Sequence, residues 1–168
     1  RHNPAAYIRE DKGMEYRIAR KKDIDFLVQS RLRFLEISSA HPGYAFMEKS
    51  CRHYFQESLE NDSLEALLAE EGGCTAGIGM IFYYRSVPSS LNPTGYNGYL
   101  TNLFVEKGFR RQGIGRQIAQ RLIDKARERN CYIIMLHASE MGRPLYLEMG
   151  FQEIANGMIL NNWGAIRS

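Results

Sequence analysis

One short run in the sequence has the residue types and spacing to bind a phosphate: Arg110-Arg111-Gln112-Gly113-Ile114-Gly115-Arg116. It follows an apolar, strand-like segment and opens an amphipathic, helix-like one, so it reads as a strand-to-helix turn. The first N–H groups of a helix have no internal acceptor, and the helix dipole places partial positive charge there. Gly113 and Gly115 withhold the side chains that would keep an anion off the backbone. Arg110, Arg111 and Arg116 add full positive charge, and guanidinium groups bind phosphate oxygens two at a time. Together these features make a phosphate site. The plainer alternative is a glycine-containing helix start with solvated arginines. The run lacks both the G-x-x-x-x-G-K-[ST] spacing of nucleotide hydrolases and the G-x-G-x-x-G spacing of dinucleotide sites.

Arg110-x-x-Gly113-x-Gly115 resembles the [Q/R]-x-x-G-x-[G/A] signature of the GCN5-related N-acetyltransferases, the GNAT family. Tyr99-Leu100-Thr101-Asn102-Leu103-Phe104-Val105 resembles the strand that precedes the loop in that family. Leu145-Tyr146-Leu147-Glu148-Met149-Gly150-Phe151 resembles its L-Y-x-x-x-G-F segment. The element order from Met14 to Leu160 is similar as well. The resemblance implies that the loop amides bind the pyrophosphate of acetyl-CoA, the cosubstrate. It implies that main-chain groups of Leu103, Phe104 and Val105 bind the pantetheine arm, in a gap between two splayed parallel strands. It implies that Tyr146 is the general acid, since a phenol, with a pKa of about 10, suits a departing thiolate. The family often carries Asn and Ala at the positions of Ser139 and Gly142; Ser139 could still bond the pantetheine arm.

The base is less marked. The mid-strand carboxylate common in the family is missing, and Tyr99 or Asn102 could instead hold a water that takes the amine's proton. Glu106 lies past the strand and reads as solvated. His137 reads as structural, although a histidine there could titrate near neutral pH. The implied reaction is acetyl transfer to a primary amine of a small molecule or peptide, by direct attack in a ternary complex. The alternative, favoured only by the missing carboxylate, is a non-catalytic CoA-binding sensor or interaction module.

Elements that would position these residues can be read from periodicity. Met14 to Ala19 alternates as a strand. Lys21 to Ile37 reads as a helix whose stripe runs through Ile24, Leu27, Val28, Arg31, Leu32 and Leu35. Met47 to Leu59 is a weaker helix. Leu64 to Ala69 and Cys74 to Tyr84 read as strands joined through a hairpin-like turn, Glu70-Glu71-Gly72-Gly73. Ser86 to Gly98 reads as a long loop and Tyr99 to Val105 as a strand. Gly113 to Arg129 is a strong helix, and Cys131 to Leu136 reads as a strand covered on both faces. Ser139 to Met149 reads as a short helix with Pro144 in its first turn, and Phe151 to Leu160 as a last strand. A right-handed crossover makes the Tyr99 and Cys131 strands parallel. The expected fold is therefore α/β, with a mixed, mostly antiparallel central sheet, a parallel splayed strand pair and helices on both faces.

The chain has 168 residues, 44% hydrophobic and 24% charged, with 22 Lys+Arg against 19 Asp+Glu. Such a composition suits a single folded domain, expected over 14–168. Residues 1–13 show no period and read as a leader or extension, native or added. A net charge of +3 argues for no nucleic-acid partner, and the helix from Arg110 to Arg129 mixes signs. No apolar run is long enough for a membrane span. Cys51, Cys74 and Cys131 are widely spaced and read as small core residues in a reducing, cytoplasmic setting. No histidine or cysteine pair has metal-ligand spacing, so no metal is expected.

Three further features stay open at this level. The acidic stretch Glu57, Glu60, Asp62, Glu65, Glu70 and Glu71 could attract a cationic amine or could be solvated surface. Tyr44, Phe46, Tyr83, Tyr84, Tyr96 and Tyr99 could line an acceptor cleft or fill the core. The apolar tail (Met158, Ile159, Leu160, Trp163, Ile166) could cover a second copy in a homodimer or pack on its own sheet.

Overall fold

The computed structural model describes residues 13–154. The chain forms two compact units, Arg1–His137 and Ala138–Ser168. The first holds β1 (Glu15–Ile18), a 3₁₀ turn (Lys21–Asp23), α1 (Ile24–Phe34), α2 (Tyr44–Glu60), β2 (Leu64–Glu71), β3 (Cys74–Arg85), β4 (Tyr96–Val105), a second 3₁₀ turn (Lys107–Phe109), α3 (Ile114–Glu128) and β5 (Ile133–Met135). The second holds α4 (Arg143–Glu148).

The strands form a single sheet in sequence order, β1-β2-β3-β4-β5. The first four pair antiparallel, and β4 and β5 pair parallel. The β2–β3 hairpin turns on Gly72 and Gly73, both at positive φ (57° and 80°), which glycine adopts without steric cost.

Alternation along β3 assigns a helix layer to each face. A Cβ on Gly77 or Gly79 would meet Ile114, Ile118 and Leu122, so that face receives α3. Ile78 and Met80, on the other parity, join a buried cluster with Leu27, Val28 and Leu32 of α1 and Cys51 and Phe55 of α2. The stripe expected on α3 is the one buried: Ile114, Ile118, Ala119, Leu122, Ile123 and Ala126. Each large aliphatic side chain so buried stabilises by about 1.5–3 kcal/mol.

Several boundaries differ from the periodicity. The helix expected from Lys21 begins as a 3₁₀ turn, where Asp23 accepts from the Arg20 backbone N–H at 2.7 Å and pairs with Arg17. The long loop is shorter than expected, spanning residues 86–95, because Tyr96, Asn97 and Gly98 already belong to β4. Gly98 serves close packing here: a Cβ would lie 2.9 Å from Ile81 Cδ1 and 3.3 Å from Cys131 Sγ. Asn97 is buried, and its Nδ2 donates to Ser86 Oγ and the Gly95 carbonyl, both at 2.9 Å. β5 is shorter than its apolar run and only half-buried; among the described residues only β4 pairs with it, at three register positions.

In the second unit the helix starts at Arg143, after a turn from Ser139, with Pro144 in its first turn as expected. The first residues of the expected last strand, 151–154, are irregular. The rest of that strand, the apolar tail and residues 1–12 lie outside the described residues.

Candidate active site

The site is built from the pairing of β4. Its register with β5 runs only from Asn97↔Ile133 to Tyr99↔Met135. Among the described residues, 100–105 therefore have β3 on one edge and no strand on the other. Where pairing stops, β4 also bulges: Ile78 faces Phe104 and Met80 faces Thr101, so Asn102 and Leu103 stand against Gly79 alone. Asn102 takes a positive φ of 54°, and Leu103, Phe104 and Val105 follow, half-buried, along the open edge.

The chain then turns through the second 3₁₀ turn into the loop. Glu106 does not stand free in solvent, as its place past the strand suggested. It takes both Arg33 guanidinium nitrogens, at 2.6 and 2.7 Å, and this pair holds its carboxyl below the usual carboxylate range. Arg33 also lies over the Phe104 ring, 4.4 Å from its centroid. Arg110 Nε donates to the Val105 carbonyl at 3.0 Å, so this arginine straps the loop to the strand end while its side chain stays exposed. Arg111 and Gln112 are exposed, and Gln112 Nε2 donates to the Gly108 carbonyl at 3.4 Å.

Arg111 (φ 64°) and Gly113 (φ 80°) both adopt left-handed backbone, which turns the chain sharply before Ile114 begins α3. Among the described residues, the backbone N–H groups of Arg111, Gln112, Gly113, Ile114 and Gly115 donate to no protein acceptor. A Cβ built on Gly113 would have nothing within 4 Å, so the space over these amides is open. Arg116 sits half-buried in the first turn of α3. A row of free N–H groups at the dipole-positive end of a fifteen-residue helix is the arrangement an anion requires. The residues therefore fit a diphosphate.

At the far end of the open edge, Tyr99 stacks on Phe82, with centroids 5.0 Å apart, and its hydroxyl contacts His137 Nδ1. Burial is the main cause holding the Tyr99 phenol above its ordinary pKa, so it is not a ready phenolate. Asn102 is fully buried. Its Nδ2 donates to Ser30 Oγ at 3.1 Å, and its Oδ1 has no partner among the described residues.

In the second unit, Ser139 Oγ accepts from the Gly142 N–H at 3.2 Å. Tyr146 packs edge-on against Phe151, with centroids 5.7 Å apart, and burial raises its phenol pKa. A Cβ on Gly142 would lie 3.3 Å from both Ser139 Oγ and Tyr146 Cε2.

A family model described as the acetyltransferase (GNAT) family matches residues 31–151. The chain belongs to the GNAT acetyltransferase family. Like other GNAT proteins it is an N-acetyltransferase with acetyl-CoA as its cosubstrate. A predicted acetyltransferase from Clostridium acetobutylicum, crystallised with acetyl-CoA, is 34% identical, with a TM-score of 0.81 over 92% of this chain and 99% of that one. A GCN5-related N-acetyltransferase from Ralstonia eutropha JMP134 is 28% identical, with a TM-score of 0.78 over 89% and 99%. Glucosamine 6-phosphate N-acetyltransferase 1 of Oryza sativa subsp. japonica is 26% identical over 121 residues, 70% of this chain and 71% of that protein.

The remaining sequence readings divide. The acidic stretch is not one patch, because Glu60 pairs with Lys21, Glu65 with Arg129, and Glu70 with Arg17. Tyr83 is core: it is buried, donates to Glu65 at 2.6 Å and stacks on Tyr96. Tyr84 and Tyr99 flank Phe82 on the opposite face. Cys74 is exposed rather than core, while Cys51 is buried and Cys131 half-buried. Among the described residues no cluster of His, Cys, Asp and Glu could hold a metal, and no helix is long and apolar enough to cross a membrane. Periodicity absorbed one residue that the site needs considered: Arg31 occupies a stripe position on α1 yet carries a charge. That mismatch was the available signal.

Proposed function

We propose that the enzyme acetylates a primary amine of a small molecule by direct attack on acetyl-CoA in a ternary complex. The observation that carries this reading is the run of free amides from Arg111 to Gly115, set at the end of a strand whose other edge is open. The loop amides would grip the pyrophosphate, with Arg111 and Arg116 adding charge. The main chain of Leu103, Phe104 and Val105 would hold the pantetheine arm as a missing strand would be held. β4 rises about 3.3 Å per residue, so Tyr99 lies roughly 20 Å back from Val105, which directs the thioester towards the Tyr99 end.

There the Tyr99 hydroxyl would accept the amine proton while passing its own to His137 Nδ1; Asn102, fully buried, would position the strand rather than hold a water in the site. Alignment of amine and thioester on one rigid strand supplies much of the rate. Tyr146 would return a proton to the leaving thiolate; its motif and its raised pKa, which keeps the phenol protonated, support this role. Direct attack is supported by the cysteines. Burial raises the Cys51 and Cys131 thiols, and Cys74 lies at the hairpin, so none is an activated nucleophile. The name of the rice relative makes an amino sugar phosphate the first acceptor to assay.

Gly113→Asp tests the reading. The position has open space, and the left-handed φ costs Asp about 1 kcal/mol, so the fold survives. The new carboxylate would face the pyrophosphate. Calorimetry should show CoA affinity falling at least about tenfold, the weight of one misplaced charge. Unchanged affinity would remove the loop from the coenzyme site.

A further inference from the structure

We propose that Arg31 binds an oxyanion of the acceptor, so that the enzyme selects amines that also carry a phosphate or carboxylate. This rests on the reading that the acceptor meets the thioester near Tyr99.

Arg31 follows Val28 by three residues and Leu27 by four, so it projects from the inward face of α1 rather than from its solvent side. Its neighbour Ser30 bonds Asn102 at the β4 bulge, which fixes this turn of α1 beside the place where β4 and β5 part. Arg31 as a whole is half-buried. Among the described residues the guanidinium makes no hydrogen bond and no ion pair, and it lies 5.6 Å from the centroid of the Phe34 ring. Its positive charge favours the ionised forms of Cys51 and Tyr54 on α2 and of Tyr99 on β4.

No carboxylate of this layer answers it. Asp25 and Glu48 are engaged by Arg52, and Glu106 by Arg33. A guanidinium with no anionic partner is available to one, and its planar fork suits carboxylate and phosphate alike. The amides that fit the pyrophosphate follow Val105, at the end of β4 opposite Tyr99, so that anion has its own place. The group that reaches Arg31 arrives on the acceptor.

The test compares amines that differ in the anion alone: glucosamine 6-phosphate against glucosamine, and 4-aminobutyrate against butylamine. The first pair reads phosphate and the second carboxylate. In the wild type, kcat/KM should favour the anionic member of at least one pair. In Arg31→Gln that preference should shrink about tenfold or more, and Arg31→Lys should keep part of it. A wild type without preference, or a preference that survives Arg31→Gln, overturns the proposal while leaving acetyl transfer intact.

A second measurement decides the case in which no amine is acetylated. CoA-loaded protein is titrated with inorganic phosphate while the Arg31 Nε–Hε resonance, assigned by its loss in Arg31→Gln, is followed. A saturable shift supports the anion site even though the transfer reading has failed. An unmoved resonance overturns the site.

Discussion

Asn102 of β4 donates its Nδ2 to Ser30 Oγ of α1 at 3.1 Å, from a residue that is fully buried and held at a φ of 54°. One side chain thus joins three features. It occupies the bulge that interrupts β3–β4 pairing, anchors α1 to the sheet, and leaves a buried acceptor oxygen, Oδ1, without a partner among the described residues. Asparagine is suited to this place, since it tolerates left-handed backbone better than most residues and carries both a donor and an acceptor.

Asn102→Val should therefore be costly. A β-branched residue resists the positive φ, and the Ser30 bond is lost, together about 2–3 kcal/mol. Asn102→Gly loses the same bond but relaxes the backbone, so it should fall between wild type and Asn102→Val. Urea denaturation at unchanged m-value reads the order directly. A valine variant as stable as the glycine variant would show that the left-handed turn imposes no constraint.

Gly79 makes a separate prediction about how α3 is aimed. A Cβ at this position would stand 2.6 Å from Ile118 Cγ2, closer than two carbons can approach. Gly79→Ala should cost about 1–3 kcal/mol as α3 is pushed off β3, and it should weaken CoA binding because the helix N-terminus moves with it. Ile118→Ala alone opens a cavity and costs about 2–5 kcal/mol. The double variant should be more stable than the sum of the two losses implies, since each change relieves the other. Strict additivity in urea unfolding would mean that the helix does not bear on Gly79.

These two residues also mark where sequence was informative and where it was not. Helix α3, its buried stripe and the glycine turn before it were legible because a 3.6-residue period and a Gly-x-Gly start are local signals. The parallel β4–β5 pair followed from the handedness of the crossover. Non-local facts were illegible. Gly98 looked like loop because its role is contact with Ile81 and Cys131, residues far away in the chain. Glu106 looked solvated because its partner Arg33 lies on α1. Arg31 was counted among apolar residues because periodicity records position and not charge. The bulge at Asn102 shows only when β3 and β4 are laid side by side.

Tyr146 carries the last prediction. If its hydroxyl protonates the leaving thiolate, Tyr146→Phe should lower kcat by about 100-fold or more, the usual worth of a placed proton donor. The KM for acetyl-CoA should change little, because the ring and its packing on Phe151 remain. The pH dependence follows from the shift. Burial raises the phenol pKa above its ordinary value of about 10, and the acid works only while protonated. No fall in kcat should therefore arise from Tyr146 between pH 7 and 9, a window set roughly one unit below that value. Gly142→Ala offers a second perturbation that spares the hydroxyl: the added methyl would press on Tyr146 Cε2 and Ser139 Oγ at 3.3 Å, so kcat should fall by less than in Tyr146→Phe. Steady-state thiol release measures all three. Equal kcat in Tyr146→Phe and wild type would leave the thiolate to solvent and strip Tyr146 of its role.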